Sequence, residues 1–225
     1  MSANPIIQPD GILFDLDGVI ADVCESYREC ILRTAADFGC TVSPADIDEA
    51  KRLGDATNDW ILTQRLLAAR GVVSDLDSVT EQFQSHYLGT EDNPGLRDKE
   101  TLLVDRRILV DLTDQYPSAI VTGRPRKEAI HFLECLGIAG CFRMLVCMED
   151  VPAKPAPDGI RLAMAELAVK RPCMIGDTPD DIVAASAAGI PAVGIAGTAE
   201  NQTALLAAGA AFVLPDLNDF SRYLN

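Results

Sequence analysis

Apolar residues follow two different periods along the chain, and the change of period divides the sequence into three stretches. Short apolar runs that end in polar residues or glycine occur near the N-terminus and again beyond residue 96, as is typical of buried strands. Between them, from residue 23 to 95, apolar residues recur every three to four positions, as in amphipathic helices. The pattern therefore predicts a core domain at residues 1–22 and 96–225 that is interrupted by a helical insert at residues 23–95.

The insert at residues 23–95 contains four predicted helices. The first spans residues 27–38. The second begins at Ser43 and Pro44, because serine is a good N-cap and proline fits the first helical position. The third and fourth span residues 60–69 and 76–87. No strand pattern interrupts these helices, so the insert is expected to be all-helical.

Beyond the insert, predicted helices alternate with predicted strands. Together with the strand near the N-terminus, the strands lie at residues 12–14, 118–122, 144–147, 173–176, 192–195 and 211–214. One helix is predicted at residues 103–112, and the next is predicted to turn Ala129, Ile130, Leu133 and Leu136 inward. Strands that alternate with helices form a parallel sheet covered on both faces. We therefore expect an α/β fold, a Rossmann-like doubly wound parallel sheet core.

Composition and charge narrow the class of protein. The 225 residues, 48% of them hydrophobic, suffice for one globular domain with an insert. A formal net charge of −15 argues against nucleic acid or an acidic membrane surface as a partner, because both bind cationic surfaces. No apolar run approaches the roughly 20 residues that cross a bilayer, and residues 1–5 lack the features of a secretion signal. We expect a cytoplasmic protein.

The seven cysteines point to a reducing compartment. They are Cys24, Cys30, Cys40, Cys135, Cys141, Cys147 and Cys173. Their number is odd, no two form a C-x-x-C pair, and most lie among apolar residues. We expect mostly buried, reduced thiols and no zinc site.

Two aspartates directly follow the first predicted strand. Because side chains alternate along a strand, Asp15 and Asp17 are expected to point to the same side, and Gly18 lets the chain turn away. Two adjacent carboxylates in a nearly buried place repel each other, and a hard cation such as Mg²⁺ offsets that repulsion. Since Asp-x-Asp-Gly is also an ordinary turn sequence, the prediction requires suitable partner residues at the ends of the other strands.

Polar groups do occur at the ends of the other strands, in a pattern that suits phosphoryl chemistry. In chain order the candidate residues are Asp15, Asp17, Thr122, Gly123, Arg124, Lys154, Asp177 and Asp181. The carboxyl ends of parallel strands form the ligand-binding edge of an open sheet, so these groups are expected to meet there. A metal ion and a lysine neutralise a phosphate, while hydroxyl and backbone N–H groups hold its oxygens.

The candidate residues fall into four motifs, at positions 15–18, 122–125, 154–158 and 176–181. In this order, and with a helical insert after the first motif, they resemble the haloacid dehalogenase-like hydrolases with a small helical cap, here the helical cap domain at residues 23–95. The similarity extends over essentially the whole chain. The resemblance implies a Mg²⁺-dependent phosphatase that hydrolyses a small phosphorylated metabolite through an aspartyl-phosphate intermediate. It also implies that the core carries the chemistry and the cap selects the substrate.

The resemblance implies a role for each matching residue. Asp15 matches the nucleophile, and Asp17 matches the acid that protonates the leaving oxygen and later activates water. Thr122 matches the hydroxyl that binds phosphate, and Lys154 matches the lysine that stabilises nucleophile and phosphate. The implied metal ligands are Asp15, the backbone carbonyl of Asp17, and Asp177. Family dehalogenases lack the second carboxylate, so Asp17 favours a phosphate ester as substrate.

Several residues allow a second interpretation. Arg124, a candidate phosphate contact together with Gly123, either binds phosphate with its guanidinium or forms a surface salt bridge. Asp181 either caps the helix after the fourth strand, through a Thr-x-x-Asp capping box, or supports the metal or Lys154 from behind. Thr122 can cap a helix as well as bind phosphate, and Lys154 could be an exposed loop lysine.

Residues 51–60 interrupt the helical pattern of the insert and concentrate polar groups around Gly54. We expect this loop to contact the substrate through Lys51, Asn58 and Asp59. The alternative is a helix connector in which Asn58 or Asp59 caps the third helix. Hinges between the domains are expected near residues 21–22 and 93–95.

The nearest alternative function is a phosphomutase of sugar phosphates, which shares the nucleophile, the metal and the cap. A non-catalytic binding or regulatory module is disfavoured by the complete set of motif residues. A receiver domain phosphorylated on aspartate is disfavoured by the insert directly after the first strand. The sequence leaves the substrate open, as it does the choice between a monomer and a homodimer.

Overall fold

The structure is a computed structural model that describes residues 7–90 and 93–224. Residues 1–5, which were considered above for a secretion signal, lie outside the described residues. The chain forms two compact units, Met1–Ala21 with Leu102–Asn225 and Asp22–Thr101. The first unit corresponds to the predicted core domain and the second to the predicted insert.

In the core unit strands alternate with helices, whereas the insert is mostly helical. The chain begins with β1 (Ile12–Phe14) and β2 (Ala21–Asp22). The insert follows with α1 (Tyr27–Asp37), α2 (Pro44–Leu53), α3 (Asp59–Ala68), α4 (Leu76–Leu88), β3 (Gly89–Thr90), β4 (Asn93–Pro94) and a 3₁₀ helix (Leu96–Lys99). The core continues with β5 (Thr101–Leu102), α5 (Arg106–Gln115), β6 (Ser118–Val121), α6 (Arg126–Cys135), a 3₁₀ helix (Ala139–Cys141), β7 (Met144–Val146), α7 (Asp158–Leu167), β8 (Cys173–Gly176), α8 (Pro179–Ala188), β9 (Ala192–Ile195), α9 (Ala199–Ala208), β10 (Phe212–Leu214) and a 3₁₀ helix (Leu217–Tyr223).

Six parallel strands form the central sheet of the core unit, in the order β10–β9–β8–β1–β6–β7. Strand β1 lies between β8 and β6, and Phe14 is opposite both Ile120 and Ile175. All three residues of β1 are fully buried. Because successive side chains point to opposite faces of a sheet, their burial shows that both faces are covered. The predicted α/β core is confirmed.

The four predicted helices of the insert are present, and aromatic residues pack them together. Tyr27 of α1 contacts Phe83 and Tyr87 of α4, with ring centroids 5.6 and 4.8 Å apart. Ser43 caps α2 as predicted, in a capping box with Asp46. The expectation of an all-helical insert is wrong in one detail, because the two-residue strands β3 and β4 pair antiparallel at its end.

The chain leaves the insert later than expected. The second connection lies at Thr101–Leu102 rather than near residues 93–95. The reason is that the 3₁₀ helix Leu96–Lys99 packs against α1 and α4 and so belongs to the insert. The strands β2 and β5, where the chain leaves and rejoins the core unit, pair with each other.

Two helices of the core differ from the sequence pattern. Helix α5 begins at Arg106 instead of residue 103, because Asp105 caps it by accepting a hydrogen bond from the Arg107 N–H at 2.8 Å. In α6 the inward position predicted for Ile130 is wrong: Ile130 is 37% exposed and Phe132 is buried instead. Within the described residues, no helix has both the length and the apolar character needed to cross a membrane.

Candidate active site

The carboxyl edge of the central sheet collects the candidate residues from four strands. Asp15 directly follows β1, Thr122 follows β6, and Asp177 follows β8. Lys154 lies in the loop between β7 and α7. Since the strands are parallel, their carboxyl ends share one edge, and this is where open α/β sheets bind ligands.

Lys154 is the centre of a buried network of hydrogen bonds. Its ammonium group donates to Asp15 Oδ1 at 2.7 Å, to Asp181 Oδ1 at 2.5 Å and to the Val121 carbonyl at 2.9 Å. The Lys154 side chain is only 5% exposed. An ammonium group has three N–H donors, so the three acceptors fix the direction of all three N–H groups. The alternative of an exposed loop lysine is therefore wrong.

Burial raises the pKa of Asp15 to about 7, with Lys154 acting in the opposite direction and two neighbouring carboxylates adding to the shift. Those carboxylates belong to Asp181 and Asp17. Burial acts to lower the pKa of Lys154, but Asp15 and Asp181 outweigh it and hold the pKa above its ordinary value. Asp15 must be ionised to act as a nucleophile, and a further cation beside it would favour that form.

Asp181 joins the N-terminus of α8 to Lys154. Its Oδ2 accepts hydrogen bonds from the Thr178 N–H at 3.0 Å and the Thr178 hydroxyl at 2.7 Å, while Oδ1 accepts from Lys154. The two interpretations of Asp181, as a cap and as a support for Lys154, thus both describe its contacts. Gly176 is required nearby, because a β-carbon there would overlap the Asp181 side chain.

Three carboxylates at this edge could hold a metal ion. One oxygen each from Asp15, Asp177 and Asp181 lies within 4.8 Å of the others. Both oxygens of Asp181 accept hydrogen bonds, from Lys154 and Thr178, whereas Asp15 accepts from Lys154 through Oδ1. An all-oxygen donor set of this kind suits a hard divalent cation.

The surroundings of Asp177 also fit a cation. Gly18 has a φ of +77°, and a β-carbon at this position would overlap the Asp177 carboxylate. Glycine therefore lets the turn after β1 approach Asp177 closely. A cavity of about 240 Å³ borders Gly18 and Asp177 and leaves space beside the Asp177 carboxylate.

The Asp17 carboxylate is paired with Arg124. Its Oδ1 accepts a hydrogen bond from the Arg124 Nε–H at 2.6 Å, and Arg124 Nη2 lies 2.5 Å from the same oxygen in an ion pair. The Arg124 side chain is 0% exposed, so the interpretation as a surface salt bridge is wrong, and its interpretation as a phosphate ligand receives no support from this geometry. Phe132 was not among the residues predicted for the site. Its ring centroid lies 5.3 Å from the guanidinium carbon of Arg124.

The Thr122–Arg124 turn is ordered by its own hydrogen bonds. The Thr122 hydroxyl oxygen accepts from the Arg124 N–H at 3.1 Å, and the Thr122 N–H donates to the Val146 carbonyl at 2.9 Å. Thr122 is buried and Gly123 is half-buried. The threonine therefore has a local structural role at the position where the sequence predicts phosphate binding.

Within the insert, the three candidate substrate contacts lie close together. Asn58 caps α3 and accepts from the N–H groups of Trp60 at 3.0 Å and Ile61 at 3.1 Å. The Lys51 ammonium lies 3.2 Å from Asp59 Oδ1. The helix-connector interpretation thus describes Asn58, and Lys51 and Asp59 form an ion pair.

The core unit is thus a Rossmann-like sheet with acidic residues and a buried lysine at its carboxyl edge. Residues 12–195 match the haloacid dehalogenase-like hydrolase family. The chain belongs to this family, which confirms the resemblance stated from the motifs.

The chain is also similar to individual proteins. The chain is 42% identical over 201 residues to an imidazoleglycerol-phosphate dehydratase of Phytophthora nicotianae, covering 86% of this chain but only 44% of that protein. It therefore spans less than half the length of that relative. It is 27% identical to a phosphoglycolate phosphatase of Yersinia pseudotuberculosis, covering 82% of this chain and 80% of the relative.

The fold is shared with solved structures. A haloacid dehalogenase-like protein of unknown function from Agrobacterium tumefaciens superimposes with a TM-score of 0.74 at 18% identity. The match covers 95% of this chain and 96% of that one. The family and the phosphatase relatives together support the predicted class of enzyme, a phosphatase.

Proposed function

We propose that the protein is a Mg²⁺-dependent phosphatase that hydrolyses a small phosphorylated metabolite through an aspartyl-phosphate on Asp15. One observation carries the proposal. The Asp15 carboxylate is buried at the end of the central strand, bonded to Lys154 through Oδ1 and next to Asp177. This arrangement provides a nucleophile with a cationic partner and room for a second cation.

In the proposed reaction, a carboxylate oxygen of Asp15 attacks the phosphorus of the substrate. As the new bond forms, the ester bond breaks and Asp17 gives its proton to the leaving oxygen. Asp17 then takes a proton from a water molecule, whose oxygen attacks the phosphorus and releases inorganic phosphate and Asp15. Lys154 holds Asp15 in position and offsets the negative charge of the phosphoryl group.

Asp15, Asp177 and the backbone carbonyl of Asp17 are the proposed ligands of Mg²⁺. When bound, the ion would neutralise charge on the phosphate and favour the ionised form of Asp15. Thr122 and the backbone N–H of Gly123 are proposed to hold phosphate oxygens. In the insert, Lys51 and Asp59 are proposed to contact the remainder of the substrate.

The names of the relatives suggest which compounds to test. Phosphoglycolate and imidazoleglycerol phosphate, which appear in those names, are both small phosphorylated molecules. A panel should contain both, together with sugar phosphates and a generic aryl phosphate. The sugar phosphates also test the phosphomutase alternative, because a mutase returns the phosphoryl group to the sugar instead of to water.

The experiment measures inorganic phosphate released from the panel, with Mg²⁺ and with a chelator. We expect release that depends on Mg²⁺. Asp15→Asn should abolish it without unfolding the protein, and Asp17→Asn should lower it strongly. Release by the Asp15→Asn variant would remove the nucleophile assignment, and isomerised sugar phosphate without release would favour the mutase.

A further inference from the structure

Arg124 has an unusual environment for an arginine at the edge of an active site. Its side chain is 0% exposed, and it is the largest of the fully buried side chains of the chain's described part. Both Nε and Nη2 contact the same oxygen, Asp17 Oδ1, at 2.6 and 2.5 Å. A buried guanidinium that meets a carboxylate so closely has an orientation fixed by charge and by geometry.

The backbone of Arg124 is held from both sides. Its N–H donates to the Thr122 hydroxyl oxygen at 3.1 Å, and its carbonyl accepts from the Met148 N–H at 3.1 Å. Met148 follows β7, and Thr122 follows β6. Two neighbouring strands therefore fix the point from which the side chain of Arg124 extends towards Asp17.

The ring of Phe132 lies against the guanidinium group of Arg124. It lies 5.3 Å from the Arg124 guanidinium carbon, on helix α6. An aromatic face stabilises a guanidinium and shields it from water. With Asp17 at one end, Phe132 on one side and no exposed surface, the guanidinium could reach a substrate phosphate only by leaving this arrangement.

We propose that Arg124 is a positioning residue that orients the carboxyl group of Asp17 for proton transfer, and that it is not a phosphate ligand. The inference rests on the proposed function, in which Asp17 supplies the proton. The Nε–H donor on Oδ1 fixes the direction of the Asp17 carboxyl group. In the proposed reaction a proton passes from this carboxyl group to the leaving oxygen as the ester bond breaks and the bond from Asp15 to phosphorus forms.

A test compares two substrates whose leaving groups differ in their need for a proton. An alkyl phosphate must receive a proton as its bond breaks, whereas a nitrophenyl phosphate leaves as a stable anion. If Arg124 acts through Asp17, Arg124→Met should lower kcat for the alkyl ester by about 100-fold, the lower range for general acid catalysis. The same variant should change kcat for the nitrophenyl ester by less than about 10-fold and leave KM unchanged for both.

A second arm places Arg124→Met in the Asp17→Asn background. With the proton donor already removed, the added substitution should cause no further loss of kcat for the alkyl ester. The double variant also avoids leaving one member of the buried pair without its partner. Arg124→Lys, which keeps the charge but loses the planar group, should fall between wild type and Arg124→Met.

Arg107→Met is the matched control, because Arg107 is 88% exposed and its substitution changes the net charge equally. Circular dichroism confirms that each variant is folded. A rise in KM and weaker inhibition by inorganic phosphate would show a phosphate ligand and overturn the inference. Equal loss of kcat for both esters would show a purely structural role and overturn it as well. Absence of phosphate release by the wild-type protein would instead reject the proposed function on which it rests.

Discussion

Lys154 determines the electrostatic balance of the candidate site because one ammonium group compensates two buried carboxylates. It bonds to Asp15 at 2.7 Å and to Asp181 at 2.5 Å. Removing one member of a buried ion pair leaves a charge without a partner, which costs far more than losing an exposed pair. The site is therefore expected to contribute to stability as well as to catalysis.

Lys154→Met should test this at the level of stability. In the presence of a chelator, we expect the free energy of unfolding to fall by about 3 kcal/mol, because Asp15 and Asp181 stay buried without the ammonium group. Urea denaturation followed by circular dichroism measures the change. Lys127→Met, at an exposed lysine, is the control and should change stability by less than about 0.5 kcal/mol. Equal stability of both variants would contradict the argument.

Cysteine reactivity should follow burial. Four of the cysteines, Cys30, Cys40, Cys147 and Cys173, are buried, whereas Cys24 and Cys135 are exposed. Burial raises the pKa of Cys173 from 9.0 to about 12. The thiolate is the reactive form, so this thiol is almost entirely protonated at pH 9 and reacts slowly there.

The prediction is that iodoacetamide at pH 9 alkylates Cys135 rapidly in the folded protein and leaves Cys173 unmodified. In urea, Cys173 should become as reactive as Cys135, because unfolding returns its pKa to the ordinary range. Peptide mapping by mass spectrometry measures both sites in one sample. Alkylation of Cys173 in the folded protein at the rate of Cys135 would show that it is not buried as described.

At the scale of elements, the N-terminus of α8 connects helix capping to the site. Thr178 and Asp181 form a capping box, and Asp181 also accepts a hydrogen bond from Lys154. Helix α9 begins with a similar threonine, Thr198, whose hydroxyl oxygen accepts from the Asn201 N–H at 3.2 Å. Thr198 is exposed and has no bond to the Lys154 network among the described contacts.

This pair of threonines gives a matched test. Thr178→Val and Thr198→Val should each lower the free energy of unfolding by about 1 kcal/mol, the usual effect of losing a helix cap. Only Thr178→Val should also lower kcat, because it removes a hydrogen bond that orients Asp181 towards Lys154. Thermal unfolding and phosphate release measure the two effects. A similar loss of kcat in both variants would argue against a specific role of α8.

At the scale of the whole molecule, the central sheet is built only from the core unit. All six of its strands lie in Met1–Ala21 or Leu102–Asn225. Strand β1 is fully buried between β6 and β8, so its hydrophobic contacts do not depend on a strand from the insert. The strands β2 and β5 pair where the chain leaves and rejoins the core unit, so a short linker can replace the insert.

The prediction is that a chain in which a glycine–serine linker replaces residues 23–100 folds into the α/β core. Circular dichroism should show helix and strand, and thermal unfolding should be cooperative. If the insert selects the substrate, the shortened chain should discriminate less among the phosphate esters of the panel. The shortened chain carrying Asp15→Asn is the control for phosphate release. Failure to form a cooperatively unfolding structure would show that the core needs the insert.

Local signals in the sequence predicted most of the fold. The caps at Ser43 and Thr178 and the strand at 173–176 depend on residues close together in the chain, and local preferences decide such features. The predictions were wrong where tertiary packing determines which side chain is buried. Ile130 is exposed, and Phe132 is buried instead. The helical period alone does not say which of two neighbouring apolar residues faces the core.

The order of residues along the chain was enough to establish which groups could reach the carboxyl edge of the sheet. Asp15, Thr122, Lys154 and Asp177 each come after a strand, and in a parallel sheet that order brings them to one edge. How these groups pair became known only from the folded chain. Arg124 bonds to Asp17 across 107 positions and Lys154 to Asp15 across 139. The direction of each side chain there depends on packing between strands and helices that are distant in the sequence, and no local pattern encodes it.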